Sequence, residues 1–321
     1  MQNTSSVAAT MPLRAMRAFE AAARLGSIKD AADALGVTPA AVSRQIQTLE
    51  AWLESDLFRR SHNAIELTEA GAALFADISP PLAALAAAAR RARRGTNEVV
   101  AAIGITFGTR WLIPRLGDLR ARHPNMQLRL STRDTGLAEP PDMEADVEVR
   151  YRREPDRHAG DVPLFADHSI PVCGPALHAA LAQNPADDWR RHPIVSATTD
   201  DWDWRSWCRA AGADFDRLDA AHRLDTDNAA TEAVIAGLGI ALVTVPLALD
   251  ALHNGLLHPV PGTIAVHLGT YCLTTRRREP RASVRAFATW LEKAAAKSAA
   301  ETHEFLKKRG ITCLPDGPPE A

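Results

Sequence analysis

Small side chains followed by an arginine form one candidate site for hydrogen bonding to a polyanion. Thr38, Ala40 and Ser43 leave room for close approach, and Arg44 and Gln47 follow within ten residues. A guanidinium can bond a guanine edge or a phosphate, while hydroxyls and backbone N–H groups suit phosphate oxygens. This chemistry requires the five residues to share one exposed face of a helix whose N-terminus enters a DNA major groove.

A second group of hydroxyl-bearing residues falls at the ends of predicted strands. Thr106 lies near the end of VVAAIGITF and Thr109 follows that stretch, Thr132 lies near the end of MQLRLSTRD, Thr198 lies near the end of IVSATT, and Thr226 lies in the loop DTDNAAT. Open parallel sheets bind ligands beyond the carboxyl ends of their strands, so these threonines are candidate ligand contacts. For any single threonine, capping of the following helix is the commoner role.

Three short helices joined by tight turns must present the first site. Gly26 stops the first helix, Ser27 caps the second, Gly36 ends it, and Thr38 with Pro39 opens the third. The stripes predicted to be buried are Leu13, Met16, Phe19 and Ala23, then Ile28, Ala31, Ala32 and Leu35, then Val42, Ile46, Leu49 and Leu53. The same periodicity is expected of a small three-helix bundle whose polar outer face binds nothing, so the periodicity alone leaves both interpretations open.

Two short strands, DLFRR and IELTEAG, follow the third helix and are separated by the polar turn SHNA. Their apolar residues could pack on the helices, which predicts a winged helix-turn-helix. Arg59 and Arg60 would then lie at the base of the wing, where they could hold phosphates, although paired arginines more often form a solvated face. The residues predicted to pack the wing are Leu57, Phe58, Ile65 and Leu67.

A long helix should then run from Thr68 to about Arg94. Leu74, Ile78, Leu82 and Leu85 recur at spacings of four, four and three, which predicts a seam for a partner helix and hence a dimer. The Pro80-Pro81 pair should kink this helix, because proline lacks the backbone donor and clashes with the preceding turn.

The remainder of the chain alternates predicted strands and helices, from VVAAIGITF to the amphipathic helix ASVRAFATWLEKAAAK. This order implies an α/β fold with a parallel sheet. In DDWDW, Trp202 and Trp204 are expected in the core. If the carboxylates of this stretch line a cleft mouth, they would favour a zwitterionic or amphiphilic ligand over a pure anion. Cys173 is expected to be a buried packing residue.

Composition and motifs argue against other classes of protein. The 321 residues are 46% hydrophobic and 24% charged, with a formal net charge of −2, as in ordinary globular proteins. Residues 1–10 lack the features of a secretory signal, so the cytoplasm is the expected location. GLGIAL follows a predicted helix instead of a strand, so it fails as a dinucleotide fingerprint, and neither a metal site nor a cofactor is predicted.

Residues 11–71 resemble the DNA-binding domain of LysR-type transcriptional regulators. The matching stretches are MRAFEAAARLGS, DAADALGVTPAAVSRQIQTLE, LFRR and LTEAG. The resemblance implies a winged helix-turn-helix, a dimerising long helix and sequence-specific promoter binding. By position it implies that DNA is contacted by Ser27, Thr38, Pro39, Ala40, Ser43, Arg44 and Gln47, with Arg59 and Arg60 on phosphates.

Several positions depart from the family pattern. Pro39 stands where the family often has glutamine, and it offers no side-chain hydrogen bond to a base. Asn63 replaces the usual wing arginine and Glu66 adds a negative charge, so a weaker phosphate grip is expected. Glu54 occupies the position of the glycine that usually ends the third helix.

Residues 99–294 resemble the effector-binding domain of the LysR branch that includes glycine-cleavage and beta-lactamase regulators. The matching stretches are FGTRWLIPRL, ADVEVRY, PVCGPAL, TDNAATEAVIAGLGIAL and FATWL. The resemblance implies two Rossmann-like lobes joined by two crossovers, as in periplasmic binding proteins, with an effector in the cleft. The implied cleft residues are Thr106, Thr132, Thr198, Thr226 and Tyr271, to which the strand-end position adds Thr109.

The sequence therefore predicts a non-enzymatic transcriptional regulator. Its predicted parts are a winged helix-turn-helix over 11–68, a linker helix over 69–95, an effector domain over 96–297 and an appendage over 298–321. The resemblance implies promoter DNA, an effector of unknown identity, further copies of the chain as a dimer or dimer of dimers, and RNA polymerase as partners. The alternative is a solute-binding or enzymatic domain that carries a helix-turn-helix only for assembly.

Overall fold

The computed structural model of the protein describes residues 11–60, 65–133, 144–153, 160–198, 200–276 and 280–314. The chain divides into two compact units between Arg94 and Gly95. The first unit is mainly helical and the second is an α/β unit, so the predicted fold class is confirmed.

Three helices form the body of the first unit: α1 (Leu13–Leu25), α2 (Ile28–Leu35) and α3 (Pro39–Leu53). Each begins and ends where the sequence predicts. The Ser27 hydroxyl accepts a hydrogen bond from the Asp30 backbone N–H at 3.2 Å. Gly26 and Gly36 end their helices with φ of +66°, a conformation that costs glycine little.

The core of the first unit uses most of the predicted apolar stripes. Met16, Phe19, Val42, Ile46 and Leu49 are buried together. Leu13 is instead 49% exposed, so its predicted burial is wrong. It is the first residue of α1, and the buried stripe of that helix lies beyond it.

A wing and a long helix complete the first unit. Strands β1 (Phe58–Arg60) and β2 (Ile65–Leu67) pair antiparallel, and α4 (Glu69–Ala92) continues through Pro80 and Pro81. Leu74 and Ile78 pack against the core of the unit's own helices, whereas Leu85 is 60% exposed. The predicted seam is therefore partly occupied within the unit: Leu82 is half-buried, and of the four seam residues Leu85 is the exposed one.

By length and composition, α4 is the one helix among the described residues that could cross a membrane. Its first half packs on the helices of its own unit through Leu74 and Ile78, and Asp77 lies between them. A single helix of this length and composition is weak evidence for a membrane span.

A mixed sheet organises the second unit. Its strands are β3 Glu98–Gly104, β4 Gln127–Arg133, β5 Val147–Arg153, β6 Val162–Cys173, β7 Ile194–Ser196, β8 His222–Arg223, β9 Ile240–Thr244, β10 His258–Pro259, β11 Ala265–Thr275 and β12 Cys313–Leu314. They follow the spatial order β4-β3-β5-β11-β6-β9-β7-β8, while β10 pairs with β6 and β12 with β11. Parallel strands β3, β4 and β5 form a first lobe, and parallel strands β7, β8 and β9 form a second.

The lobes are joined by the antiparallel pair β6 and β11, so two strands pass between them as the two crossovers. Each lobe has its own apolar core. The helices that cover the sheet are α5 Leu116–Arg122, α6 Pro175–Gln183, α7 Trp202–Ala211, α8 Asp227–Ile235, α9 Val245–His253 and α10 Ala282–Lys308.

The chain after β3 does not form the single helix that the sequence predicts. A π-helical turn over Phe107–Leu112 is followed by a 3-10 turn over Ile113–Arg115 and only then by α5. Pro114 explains the break, because it supplies no N–H for an α-helical hydrogen bond at this point.

Helix α10 is longer than predicted and spans both lobes. Phe287 and Leu291 pack in the first lobe, whereas Phe305 and Leu306 pack in the second. Within the predicted appendage of residues 298–321, residues 298–308 continue α10 and Cys313–Leu314 forms β12, so its described part packs on the second lobe, and residues 315–321 lie outside the described ranges. The buried face continues through Ser298 and Thr302, whose polar side chains hide the apolar periodicity.

Candidate DNA interface and effector cleft

The outer face of α3 carries the first candidate site, here called the recognition face (Thr38, Pro39, Ala40, Ser43, Arg44 and Gln47). Thr38 caps the helix by accepting a hydrogen bond from the Ala41 N–H at 3.3 Å, and its hydroxyl proton stays available for a phosphate. Arg44 and Gln47 are exposed, Ser43 is half-buried, and Val42 and Ile46 anchor the opposite side. Among the described residues, the Arg44 guanidinium has no ion pair or hydrogen bond.

The base of the wing lies next to this face. Ser43, Gln47 and Arg59 line one concavity of the first unit. Arg59 is exposed and lies opposite Glu66 in the strand register, so a carboxylate stands directly across from the predicted phosphate contact. The side chain of Arg60 and all of Asn63 fall outside the described residues.

Glu50 fixes the wing to α3, a role that the sequence analysis missed. Its carboxylate accepts hydrogen bonds from the backbone N–H groups of Leu57 at 2.9 Å and Phe58 at 3.3 Å. This role could have been predicted from the sequence, because Glu50 lies on the inner side of α3 and a predicted strand follows it closely.

The α3 C-terminus has a glutamate in a conformation that favours glycine. Glu54 has φ of +53° and ψ of +35°, and its N–H donates to the Glu50 carbonyl oxygen. The turn that the family usually makes with glycine is therefore kept, at the cost of backbone strain in a side-chain-bearing residue.

A cavity of about 190 Å³ lies between the two lobes of the second unit. The first lobe contributes the chain after β3 and the end of β5, the second contributes the segments before α7 and α8, and the connecting strands supply the floor. The side chains that carry its charge and aromatic character are Phe107, Tyr151, Arg153, Asp167, Trp202, Asp203, Asp225, Asp227 and Tyr271.

Close backbone packing shapes the floor of the cavity. Tyr151 on β5 lies opposite Tyr271 on β11, with ring centroids 5.1 Å apart in an edge-on arrangement. A Cβ at Gly269 would lie 2.6 Å from the Tyr151 ring, so only glycine leaves room for that ring. Burial raises the pKa of both tyrosines well above the ordinary value, so both are neutral hydroxyls.

Asn228 joins the lobes beside this cavity. Its side-chain oxygen accepts hydrogen bonds from the Thr109 hydroxyl at 3.1 Å and the Arg110 Nε at 2.8 Å. Its backbone N–H donates to the Thr106 hydroxyl at 3.1 Å, and Arg110 also pairs with Glu232. We call these five residues the interlobe latch.

The sequence matches two family descriptions that together cover most of the chain. Residues 13–72 match the "Bacterial regulatory helix-turn-helix protein, lysR family", and residues 92–296 match the "LysR substrate binding domain". The chain belongs to the LysR family. It is therefore a DNA-binding transcriptional regulator with an effector-binding domain, and it is not an enzyme.

Relatives along nearly the full chain are LysR regulators. A "Glycine cleavage system transcriptional activator homolog" of Haemophilus influenzae is 31% identical over 288 residues, covering 87% of this chain and 93% of the relative. The "HTH-type transcriptional activator AmpR" of Pseudomonas aeruginosa is 33% identical over 296 residues, covering 90% and 97%.

Solved structures share the fold. The effector domain of AmpR from Pseudomonas aeruginosa matches with a TM-score of 0.51 and 29% identity, over 64% of this chain and 98% of that chain. ArgP from Mycobacterium tuberculosis matches with a TM-score of 0.53 over 88% of this chain and 96% of its own, at 22% identity.

The structure of this LysR regulator separates the predicted effector contacts into two groups. Thr106, Thr198, Thr226 and Tyr271 line the cavity, whereas Thr109 and Thr132 do not. The Thr109 hydroxyl serves the latch. The exposed Thr132 lies at the end of β4, the edge strand of the sheet, so strand order carries it away from the cleft.

Two residues that the sequence did not predict as effector contacts line the cavity. Trp202 was expected in the core; it is half-buried against the core of the second lobe and also forms part of the cavity wall, whereas Trp204 is fully buried as expected. Asp167 carries no motif at all and was missed, because it lies within the long strand β6. Cys173 is buried, and burial raises its pKa to about 11, which fits a packing residue.

Proposed function

We propose that the recognition face of α3 inserts into the major groove and that Arg44 makes its principal base contact. The observation that carries this proposal is the exposed, unengaged guanidinium one turn into a helix whose N-cap hydroxyl can still donate. Pro39 removes one side-chain hydrogen bond, which increases the share of specificity that falls on Arg44. Ser27, exposed in part at the start of α2, and Ser43 would supply phosphate contacts.

The wing would add a weaker phosphate contact. Arg59 is the described cation at its base, and Glu66 opposite it lowers the local positive potential. Arg60 extends the same strand as a second proposed contact. Fewer neutralised phosphates predict a shallower salt dependence of DNA binding than a fully basic wing would give.

The interlobe cavity is the proposed effector site. A ligand that contacts both lobes favours the closed arrangement in proportion to its differential affinity for the two arrangements. The latch already holds the lobes together through Asn228, so ligand binding would add to a contact that exists without it.

The proposed assembly is a homodimer formed through α4, extended to a dimer of dimers as in the family. Two-fold symmetry then predicts a pseudo-palindromic operator with half-sites separated by whole helical turns. RNA polymerase is the proposed further partner, and the cytoplasm is the proposed location.

Binding of the purified full chain to the intergenic DNA beside its own gene tests this function. We expect sequence-selective binding whose affinity falls as the salt concentration rises, measured by fluorescence anisotropy over a salt series. Binding that does not distinguish this fragment from unrelated DNA of the same length would contradict the proposed recognition face.

A further inference from the structure

The charged lining of the interlobe cavity is mostly acidic. Asp167, Asp203, Asp225 and Asp227 contribute carboxylates, and Arg153 contributes the one guanidinium among the described lining residues. Asp167 and Asp203 are only 4% and 8% exposed. A lining with this excess of carboxylates favours a positively charged ligand group over an anionic one.

The two buried carboxylates are oriented by hydroxyl groups, and the charge of nearby His267 opposes the rise that burial causes in the pKa of Asp167. Asp167 accepts hydrogen bonds from the Tyr151 and Ser169 hydroxyls, each at 2.8 Å, and Asp203 accepts one from Thr198 at 2.8 Å. Among the described residues, no lysine or arginine forms an ion pair with either carboxylate. Burying an ionised carboxylate costs free energy that a positively charged ligand group would recover.

The second lobe offers little to a purely anionic ligand. The N-terminus of α8 would ordinarily attract an anion, because its free N–H groups and macrodipole are positive. Here the Asn228 N–H donates to Thr106 and the Ala229 N–H donates to Thr226. Asp225 and Asp227 place two carboxylates beside the same helix start.

The remaining wall suits a cation that also has an apolar body. The Arg153 guanidinium lies 3.7 Å from the centroid of the Trp202 ring and 3.8 Å from the Asp200 carboxylate, so it is held at one side of the cavity. Phe107, Tyr151 and Tyr271 supply aromatic surface elsewhere. Aromatic faces attract cations electrostatically, and Arg153 would accept a carboxylate at the other end of the same molecule.

We propose that the effector is a small molecule with a protonated amino group, bound by Asp167 and Asp203, and that any carboxylate it carries lies against Arg153. This inference rests on the proposed function of the cavity as the effector site. It narrows the ligand class to small amines and zwitterionic amino acids.

A series of three five-carbon probes that differ only in their end groups tests the ligand class on the full chain. Calorimetric titration with cadaverine, 5-aminovalerate and glutarate should give binding for at least one of the two amines and weaker or no binding for the dianion. Preferred binding of glutarate overturns the inference, and so does failure of both amines to bind at millimolar concentration.

Three substitutions locate the binding. Asp203→Asn and Asp167→Asn preserve size and should each weaken amine binding by about tenfold or more, because a charged hydrogen bond is lost. Asp216→Asn, an exposed carboxylate in the same lobe, should leave affinity unchanged. Two cleft variants are used because either one could fail to fold, and circular dichroism shows whether each is folded. The inference is overturned if both cleft variants fold and still bind the amine with the affinity of the wild-type chain.

The Trp202→Ala variant distinguishes two ways in which the proposals could be wrong: the effector is not an amine, or the cavity is not the effector site. Glutarate binding that Trp202→Ala abolishes would leave the cavity as the effector site and overturn only the amine. Amine binding that survives Trp202→Ala, Asp167→Asn and Asp203→Asn alike would place the ligand elsewhere and overturn both.

Discussion

At the scale of single residues, Arg44 is the side chain on which sequence-specific binding should depend most. Arg44→Ala should weaken binding to the operator by about 1–3 kcal/mol, because a bidentate contact to a base is lost. Competition between operator and unrelated DNA in fluorescence anisotropy measures this loss. Arg24→Ala is the matched control, since Arg24 is already paired with Glu20 on α1. Equal losses in the two variants would contradict the role of Arg44.

A second prediction at the residue scale concerns the pH dependence of stability. Burial raises the pKa of the Asp203 carboxyl in the folded chain, despite its hydrogen bond from Thr198. The stability linked to its protonated form is fully present below the unfolded pKa and is lost as the pH rises through the folded pKa.

Asp203→Asn imitates the protonated form, so it should reduce this loss of stability as the pH rises from the acidic range. Thermal unfolding of the ligand-free chain at a series of pH values measures the slope. Asp216→Asn should keep the wild-type slope. A slope that Asp203→Asn leaves unchanged would show that this carboxyl titrates alike in the folded and unfolded chains.

At the scale of elements, the turn that ends α3 stores strain at Glu54. Glu54→Gly should raise the free energy of unfolding of the first unit by about 1 kcal/mol, because glycine adopts positive φ without steric cost. Ala51→Gly, at an exposed position inside α3, should instead lower it by about 0.5–1 kcal/mol. Urea unfolding followed by circular dichroism compares the two variants. A decrease for Glu54→Gly would mean that contacts of the glutamate outweigh its strain.

The interlobe latch is the second feature at this scale. Asn228→Ala removes the acceptor for Thr109 and Arg110 and leaves a partly buried guanidinium without that bond. We expect a loss of about 1–3 kcal/mol in stability of the second unit, together with weaker effector binding. Differential scanning calorimetry measures the first effect and titration the second. Asn184→Ala, at the exposed end of α6, is the control. An equal effect of the two substitutions would contradict a specific role of the interlobe latch in stability and effector binding.

At the scale of the whole molecule, assembly should depend on the outward half of α4. Leu85→Glu places a charge at a residue that is 60% exposed in the single chain, so it should weaken dimerisation without unfolding the first unit. Ala83→Glu lies about 200° around the helix and should leave the dimer intact. Light scattering after size-exclusion chromatography measures the mass. A Leu85→Glu chain that keeps the mass of the wild-type assembly would place the dimer contact elsewhere.

The first unit shows how much a local pattern determines. Ser27, Thr38 and the two glycines set helix ends through bonds to residues only a few positions away, so the sequence predicts α1, α2 and α3 almost to the residue. The recognition face follows from these helix limits, because a 3.6-residue period places Arg44 opposite Val42 and Ile46.

The family, the element order and the direction in which α3 presents its polar face follow from the amino-acid sequence alone, because each depends on spacing within one segment. Tertiary structure decided the composition of the cleft. Asp167 reaches it through the pairing of β6 with β11, and Trp202 and Asp203 reach it from the start of α7. The latch joins residues more than a hundred positions apart. Such placements depend on which strands become neighbours and which surfaces remain open between the lobes. Neither can be predicted from a local sequence pattern.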